Sequence, residues 1–264
     1  STLALFLCGL AAVTIASDRK TRVVHVDNRM VRRMLGFFML AYSLAVIAAI
    51  LPPGYGIIKP AIAMILGSVY VYYVYDTLSA KGISTEEVLK PLYFQAMAGR
   101  FFGLKNGAGE PPAILIASQT LLALVAIVAG ADIFVAQVDS IATAISVSPL
   151  ILSLFISPMA TELPEIFNSV IWVKRGRDVL AVGNILGAMV YQSCILVIIG
   201  ISLTPWHLEL SDRSQLLQAA SMGLALASSA LLYLRLRGEV VRVSVMLISG
   251  LFYLAFIVLV LLNL

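Results

Sequence analysis

Charge is what this sequence has least of. Only 12% of its 264 residues are Asp, Glu, Lys or Arg, against 61% hydrophobic, and its mean hydropathy is +1.00. A soluble domain carries about 25% charge and about 45–50% apolar residues. The deficit excludes an ordinary cytosolic enzyme, a disordered chain and a nucleic-acid binder. Cysteine and histidine are nearly absent, at two each. Cys8 and Cys194 sit far apart in apolar runs, so they give neither a metal spacing nor a disulfide framework. They read as small buried hydrophobes. His25 and His207 fall between apolar runs and read as solvated loop residues. A charged leader with a small-residue cleavage site is also missing. The chain opens at Ser1 directly in an apolar run, which predicts a longer protein upstream.

What is there is apolar sequence in membrane-sized pieces. A spanning helix needs roughly 20 mostly apolar residues. Eight segments qualify, at about 1–16, 34–52, 57–76, 113–135, 145–172, 179–203, 215–234 and 243–263. The first is short. The fifth is long and holds acids and prolines, so a broken helix is expected there. The net charge of +4 alone would suggest acidic partners, but the placement of the bases is more telling. Threading the eight segments through a bilayer puts 16 of the 18 Lys and Arg on one side, leaving Lys59 and Arg213 on the other. The positive-inside rule makes the crowded side cytoplasmic and places Leu264 outside. Trp172 and the cluster Tyr70, Tyr72, Tyr73 and Tyr75 fall near predicted inner boundaries, and Trp206 near an outer one, as interface anchors. The longest loop, 77–112, is cytoplasmic and reads as a linker, with Phe94, Phe101 and Phe102 suited to an interfacial helix.

The chain start echoes a later stretch. Ser1 to Gly9 is similar to Ser193 to Gly200, Ser17-Asp18-Arg19 to Ser211-Asp212-Arg213, and Met64 to Tyr70 to Met246 to Phe252. Each copy, 1–76 and 193–264, is part of a span followed by two full spans. The two copies enter the membrane from opposite sides, a recurring build of secondary transporters. A counterpart of residues 113–192 is then expected before Ser1.

The chemistry lies in the fifth span, in Thr161-Glu162-Leu163-Pro164-Glu165. Two ionised, unpaired acids at the centre of a membrane helix would cost about 5–7 kcal/mol. No Lys or Arg in the span can pair with them, so a cation is the natural partner; two protonated acids hydrogen-bonded within the bundle are the alternative. Glu162 and Glu165 are three apart and share a helix face. Thr161 and Ser169 add hydroxyls. Pro158 and Pro164 each remove a backbone donor and free carbonyls. Carboxylates, hydroxyls and carbonyls are the hard-oxygen set that suits Ca²⁺. In the sixth span, Gly183 and Gly187 form a GxxxG pair that permits close helix approach. Asn184, Gln192 and Ser193 put amides and a hydroxyl into the same apolar run. Asp132, in the fourth span, is either a proton carrier or a packing group. Asp178 reads as interfacial.

These residues resemble a family. Thr161 to Glu165, followed by Asp178 to Gly187, is similar to the second alpha-repeat of the calcium:cation antiporter superfamily, with prokaryotic sodium/calcium exchangers as the nearest kin. The family pattern is roughly G-T-S-L-P-E, a short basic linker, then G-N-x-x-G-S-N-x-x-N/D. The resemblance implies that Glu165 is the central Ca²⁺ ligand, that Thr161 and the carbonyl of Pro158 supply oxygens, and that Gln192 completes the site. Ala160, Glu162, Ala188-Met189 and Gln192 depart from the pattern. The first alpha-repeat is absent.

The expectation is an all-α polytopic membrane protein of about eight spans, holding half of an inverted-repeat transporter and part of the other half. Its divisions are 1–76, the linker 77–112 and 113–264. The expected activity is exchange of Ca²⁺, or a related divalent cation, for Na⁺ by alternating access, with H⁺ coupling as the alternative. It is expected not to be an enzyme and to hold no resident cofactor. A non-transporting scaffold and an intramembrane enzyme are the rivals from other classes. The expected ion ligands are Glu165, Glu162, Thr161, Gln192, Ser169 and Pro158, with Asp132 and Asn184 as possible proton or packing sites. The expected partners are the bilayer, metal cations and the upstream part of the same protein, in the inner membrane of a prokaryote.

Overall fold

The computed structural model describes residues 2–14, 23–52, 56–79, 113–146, 149–236 and 240–262. The chain divides into two units, one of Ser1–Ser79 with Leu150–Leu264 and one of Ala80–Pro149. In chain order the elements are α1 (Thr2–Thr14), β1 (Val23–Asp27), α2 (Asn28–Ile50), α3 (Ile58–Ser79), α4 (Ala113–Ala144), α5 (Pro149–Lys174), α6 (Asp178–Tyr191), a π-helical turn (Gln192–Leu196), α7 (Val197–Leu203), α8 (Arg213–Arg235), β2 (Val240–Arg242) and α9 (Val243–Leu261). The protein is mostly helical. Five helical spans among the described residues are long and apolar enough to cross a membrane: α2, α3, α4, α6 through α7, and α8.

The second unit contributes α4, in which only Val138 and Ala142 are buried. Leu121, Leu122, Ile127 and Ile133 stand exposed along it. A helix that is apolar all round is suited to a lipid environment.

In the first unit, α6 lies against α2. Their contact buries Ala181, Ile185, Leu186 and Met189 on one side and Met34, Leu35, Phe38 and Ala41 on the other. In a bilayer, burying apolar side chains gains little over leaving them in lipid, so close packing decides. The small residues allow it. A methyl at Gly183 would come within 3.3 Å of Met30 Cε, and one at Gly187 within 3.4 Å of the Tyr73 hydroxyl.

The connections meet at opposite ends of α2. At its start, β1 pairs antiparallel with β2, Val23 opposite Arg242 and Val24 opposite Val241, with a register irregularity before Asp27. The all-α reading needs this correction. Valine-rich connections emerging at one end form a short ladder that hydropathy does not register. At the other end, Leu208 N–H donates to the Ala49 carbonyl at 2.9 Å, and Lys59 Nζ donates to the carbonyls of Trp206 (2.9 Å) and Pro205 (3.2 Å). His207 Nδ1 lies 3.1 Å from the Leu51 carbonyl, so this ring is docked rather than solvated. The backbone of His25 lies in β1.

Two helices begin on aspartate caps. Asp27 accepts from Arg29 N–H at 2.8 Å, and Asp212 accepts from Ser214 N–H at 2.7 Å. Asp27 starts α2 six residues before the apolar run. That extra turn and a half carries Arg32, over the Tyr233 ring at 4.6 Å, and Arg33, paired with Asp76 at 2.8 Å. The pair is partly exposed and contributes at most about 1 kcal/mol.

Two expectations change. The fifth span is not broken: α5 runs as one α-helix from Pro149 to Lys174. Each proline deletes a single backbone bond, and the flanking bonds carry the helix through. The irregular backbone falls in the sixth span instead, at the π-turn Gln192–Leu196. Among the tyrosines, Tyr72 and Tyr75 are exposed as anchors should be. Tyr70 and Tyr73 turn inward, Tyr73 onto Phe37 at 5.4 Å and Tyr70 onto Tyr191 at 6.1 Å. Phe94, Phe101 and Phe102, and Asp18 of the repeated motif, lie outside the described residues.

Candidate ion site

The basic linker Lys174-Arg175-Gly176-Arg177 ends α5 in a left-handed turn. Gly176 has φ 73°, Arg177 N–H donates to the Trp172 carbonyl at 2.8 Å, and Gly176 N–H donates to the Val173 carbonyl at 3.0 Å. This is the Schellman pattern, in which glycine adopts the positive φ without a Cβ clash. It folds α6 back along α5. Asp178 is buried and sits in the first turn of α6.

Among the described side chains of α5 the buried ones are Glu162, Ile166, Ser169 and Val173, spaced by four, three and four residues. That is one helix face. Ser169 is fully buried, and its hydroxyl donates to the Ala181 carbonyl across the hairpin at 3.0 Å. The Asn184 amide lies opposite. Its Nδ2 donates to the Glu165 carbonyl at 3.2 Å and to Ser169 Oγ at 3.3 Å. These three bonds fix the register of α6 on α5. Replacing Ser169 by Ala removes one bond and strips Asn184 of an acceptor. Interhelical hydrogen bonds in membranes contribute about 0.6–1.7 kcal/mol. Ser169→Ala should therefore lower the thermal unfolding midpoint of the detergent-purified protein by a few degrees, and an unchanged midpoint would show that the hydroxyl bridge does not hold the hairpin.

Glu165 is half-buried, and its Oε2 atom is fully buried with no hydrogen-bond partner. A carboxylate oxygen in that setting calls for a cation or a proton. Glu162, one turn away, is only 8% exposed. Pro164 denies a donor to the carbonyl of Ala160, and Pro158 to that of Leu154, so backbone oxygens on the same helix are short of partners. The donor set suits a hard cation.

The structure thus brings together Glu165, Ser169 and Asn184, with Glu162 on the same face. It does not bring in the rest. Thr161 is exposed. Gln192 lines a separate cavity with Phe38, Tyr42, Ser193 and Ser229, whose walls include neither glutamate. Asp132 is exposed on α4, in the other unit. Pro158 lies in the backbone of α5. Among the described residues no three His, Cys, Asp or Glu side chains cluster as a metal site. Sequence reasoning treated Asn184 as an optional member, whereas it bridges the two helices. It also missed Ser229 and Tyr42. Ser228-Ser229 in the apolar run of α8 was the available signal for the first.

Comparison with known proteins agrees in direction. The family described as "Sodium/calcium exchanger protein" matches residues 116–264, from α4 to the end of the chain. A protein of Alkalimonas amylolytica named "Putative antiporter CaxA" is 30% identical over 118 residues. That match takes in 44% of this chain and 37% of the relative's length. No solved structure matches the chain.

Proposed function

Because the chain belongs to the sodium/calcium exchanger protein family, we propose that it is a secondary cation antiporter that exchanges Ca²⁺ for Na⁺ by alternating access. The observation that carries the reading is the buried, unpartnered Oε2 of Glu165 in an apolar hairpin. In the proposal this carboxylate binds the divalent ion. Glu162 joins it or carries the counter-ion, Ser169 contributes a neutral oxygen, and Thr161 and Gln192, which stand apart from the hairpin carboxylates in this structure, join in another conformation of the alternating-access cycle. Asn184 holds the hairpin in register. H⁺ coupling is the second reading, favoured by one feature: Glu162 is a titratable acid on the same buried face as Ser169, where the family pattern has serine.

The proposal includes eight spans, with the basic loops in the cytoplasm and the C-terminus outside. An inverted repeat is part of it, supported by the packing of the first unit. α1 packs on α9, α3 packs on the π-turn and α7, and α2 packs on α8. Exchanging α1, α2 and α3 for the π-turn with α7, α8 and α9 returns these three contacts. The test is calcium radiotracer uptake into vesicles holding the full-length protein, loaded with Na⁺ or set acid inside. Uptake driven by the Na⁺ gradient is expected. Uptake driven only by the proton gradient would select the second reading, and uptake under neither gradient would overturn antiport.

A further inference from the structure

The space between α2 and α8 is not used by the acidic hairpin. On α8, Gln218, Ser221, Ala225 and Ser229 are spaced by three, four and four residues, which is one helix face. Gln218 and Ser221 line a cavity of about 450 Å³ beside Tyr42 and residues 204–208. Ala225 and Ser229 line a second, of about 210 Å³, beside Tyr42, Gln192 and Ser193. Among the described residues Tyr42 is the one common to both walls. Its ring stacks on Phe38, with centroids 5.2 Å apart and planes at 18°.

The stripe is long enough to matter. From Gln218 to Ser229 is about 16 Å at 1.5 Å per residue, roughly half of the ~30 Å hydrocarbon layer. It starts near the end that carries residues 204–208 and passes the midpoint of α8 at Leu224. Its hydroxyls are one-sided. The Ser221 hydroxyl donates to the Gln218 carbonyl at 2.7 Å, that of Ser229 to Ala225 at 2.8 Å, and that of Ser193 to Val190 at 3.0 Å. With their protons committed, these hydroxyls offer lone pairs to the cavities. A space of about 210 Å³ lined this way has room for about seven waters. Among the described residues no carboxylate lines either cavity, so the walls suit the passage of a hydrated cation more than its tight retention.

We propose that the α2–α8 crevice is an aqueous access route for cations from the 204–208 end to the Gln192 amide, with Tyr42 as its constriction. The role of the route in exchange rests on the antiport reading, whereas its existence is a matter of accessibility and is tested as such. In full-length protein with Cys8→Ala and Cys194→Ala, Met222→Cys reports the first cavity and Ala225→Cys the second. A membrane-impermeant, positively charged methanethiosulfonate is applied from each side of vesicles. Both cysteines should react from the 204–208 side, Ala225→Cys more slowly. Adding Tyr42→Ala should speed Ala225→Cys about tenfold, the effect of lowering a barrier by about 1.4 kcal/mol, and leave Met222→Cys unchanged. Adding Tyr42→Trp should slow it. A cysteine at 225 that never reacts, reacts only from the opposite side, or ignores Tyr42→Ala while position 222 keeps its rate overturns the route. Should Tyr42→Ala disturb position 222, Tyr42→Trp decides, and an unchanged rate there overturns the route as well. Calcium flux without labelling defeats the route alone; labelling without flux defeats antiport alone.

Discussion

Glu165→Gln should abolish calcium uptake by the full-length protein while leaving it folded. The substitution keeps the size and hydrogen-bonding capacity of the side chain and removes its charge. Breaking a buried ion pair by removing one partner costs about 3–5 kcal/mol. At about 1.4 kcal/mol per tenfold, that is a loss of roughly 150-fold or more in ion binding. Stability should move the other way in the absence of ions. The Glu165 Oε2 atom is buried without a partner, so a neutral amide at this position relieves a desolvation cost rather than creating one. Added Ca²⁺ should then separate the two proteins. At 100 times its dissociation constant a ligand stabilises the native state by about 2.7 kcal/mol. The wild-type melting point should rise by degrees on calcium addition and that of Glu165→Gln should not. Wild-type uptake in Glu165→Gln would remove this carboxylate from the ion site. Glu162→Gln is the informative companion: if Glu162 carries the counter-ion, calcium binding persists and the dependence of uptake on Na⁺ or pH shifts.

The sequence revealed helices where the apolar runs alone determine them. The runs at 57–76, 179–203 and 215–234 became Ile58–Ser79, Asp178–Leu203 and Arg213–Arg235 with ends moved by three residues at most. Where a helix outruns its apolar stretch, hydropathy stops short. Asp27 caps α2 at Asn28, six residues before the run expected at 34–52, and α4 continues through Asp139 and Thr143 to Ala144. The β1–β2 ladder and the π-turn depend on partners far away in sequence, or on a one-residue misfit within a helix, and neither leaves a periodic signal. The same division holds at the site. Charge in an apolar run picked out Glu162 and Glu165 without any structure. Which neutral groups join them is a matter of helix phase and tertiary packing. Asn184 points across the hairpin at Ser169, whereas Gln192, eight residues on, lines the cavity beside Tyr42.

The packing between α1 and α9 is close, and it should be sensitive to added volume. A methyl at Gly250 would overlap the Phe6 ring, reaching 2.7 Å from Cγ and 2.9 Å from Cε2. On the opposite helix, one at Gly9 would lie 3.0 Å from Met246 Cβ. A glycine-to-alanine change within a helix gains about 0.5–1 kcal/mol in backbone entropy. Overpacking a close contact costs about 1–3 kcal/mol. Here overpacking should win, because the obstacle is a stiff ring near its root and not the end of a flexible chain. Gly250→Ala should therefore lower the unfolding midpoint, and Gly250→Leu should prevent α1 from docking at all. Phe6→Ala opens the space, so Phe6→Ala with Gly250→Ala should be more stable than Phe6→Ala alone, the reverse of the effect in the wild-type background. A double-mutant cycle of thermal unfolding reads that sign change directly. Additive costs would mean that Phe6 and Gly250 do not meet, and the α1–α9 contact would then have to be redrawn. The contact bears on transport too, since in the proposed repeat it is the counterpart of the packing between α3 and α7, the helix that continues from the Gln192 π-turn.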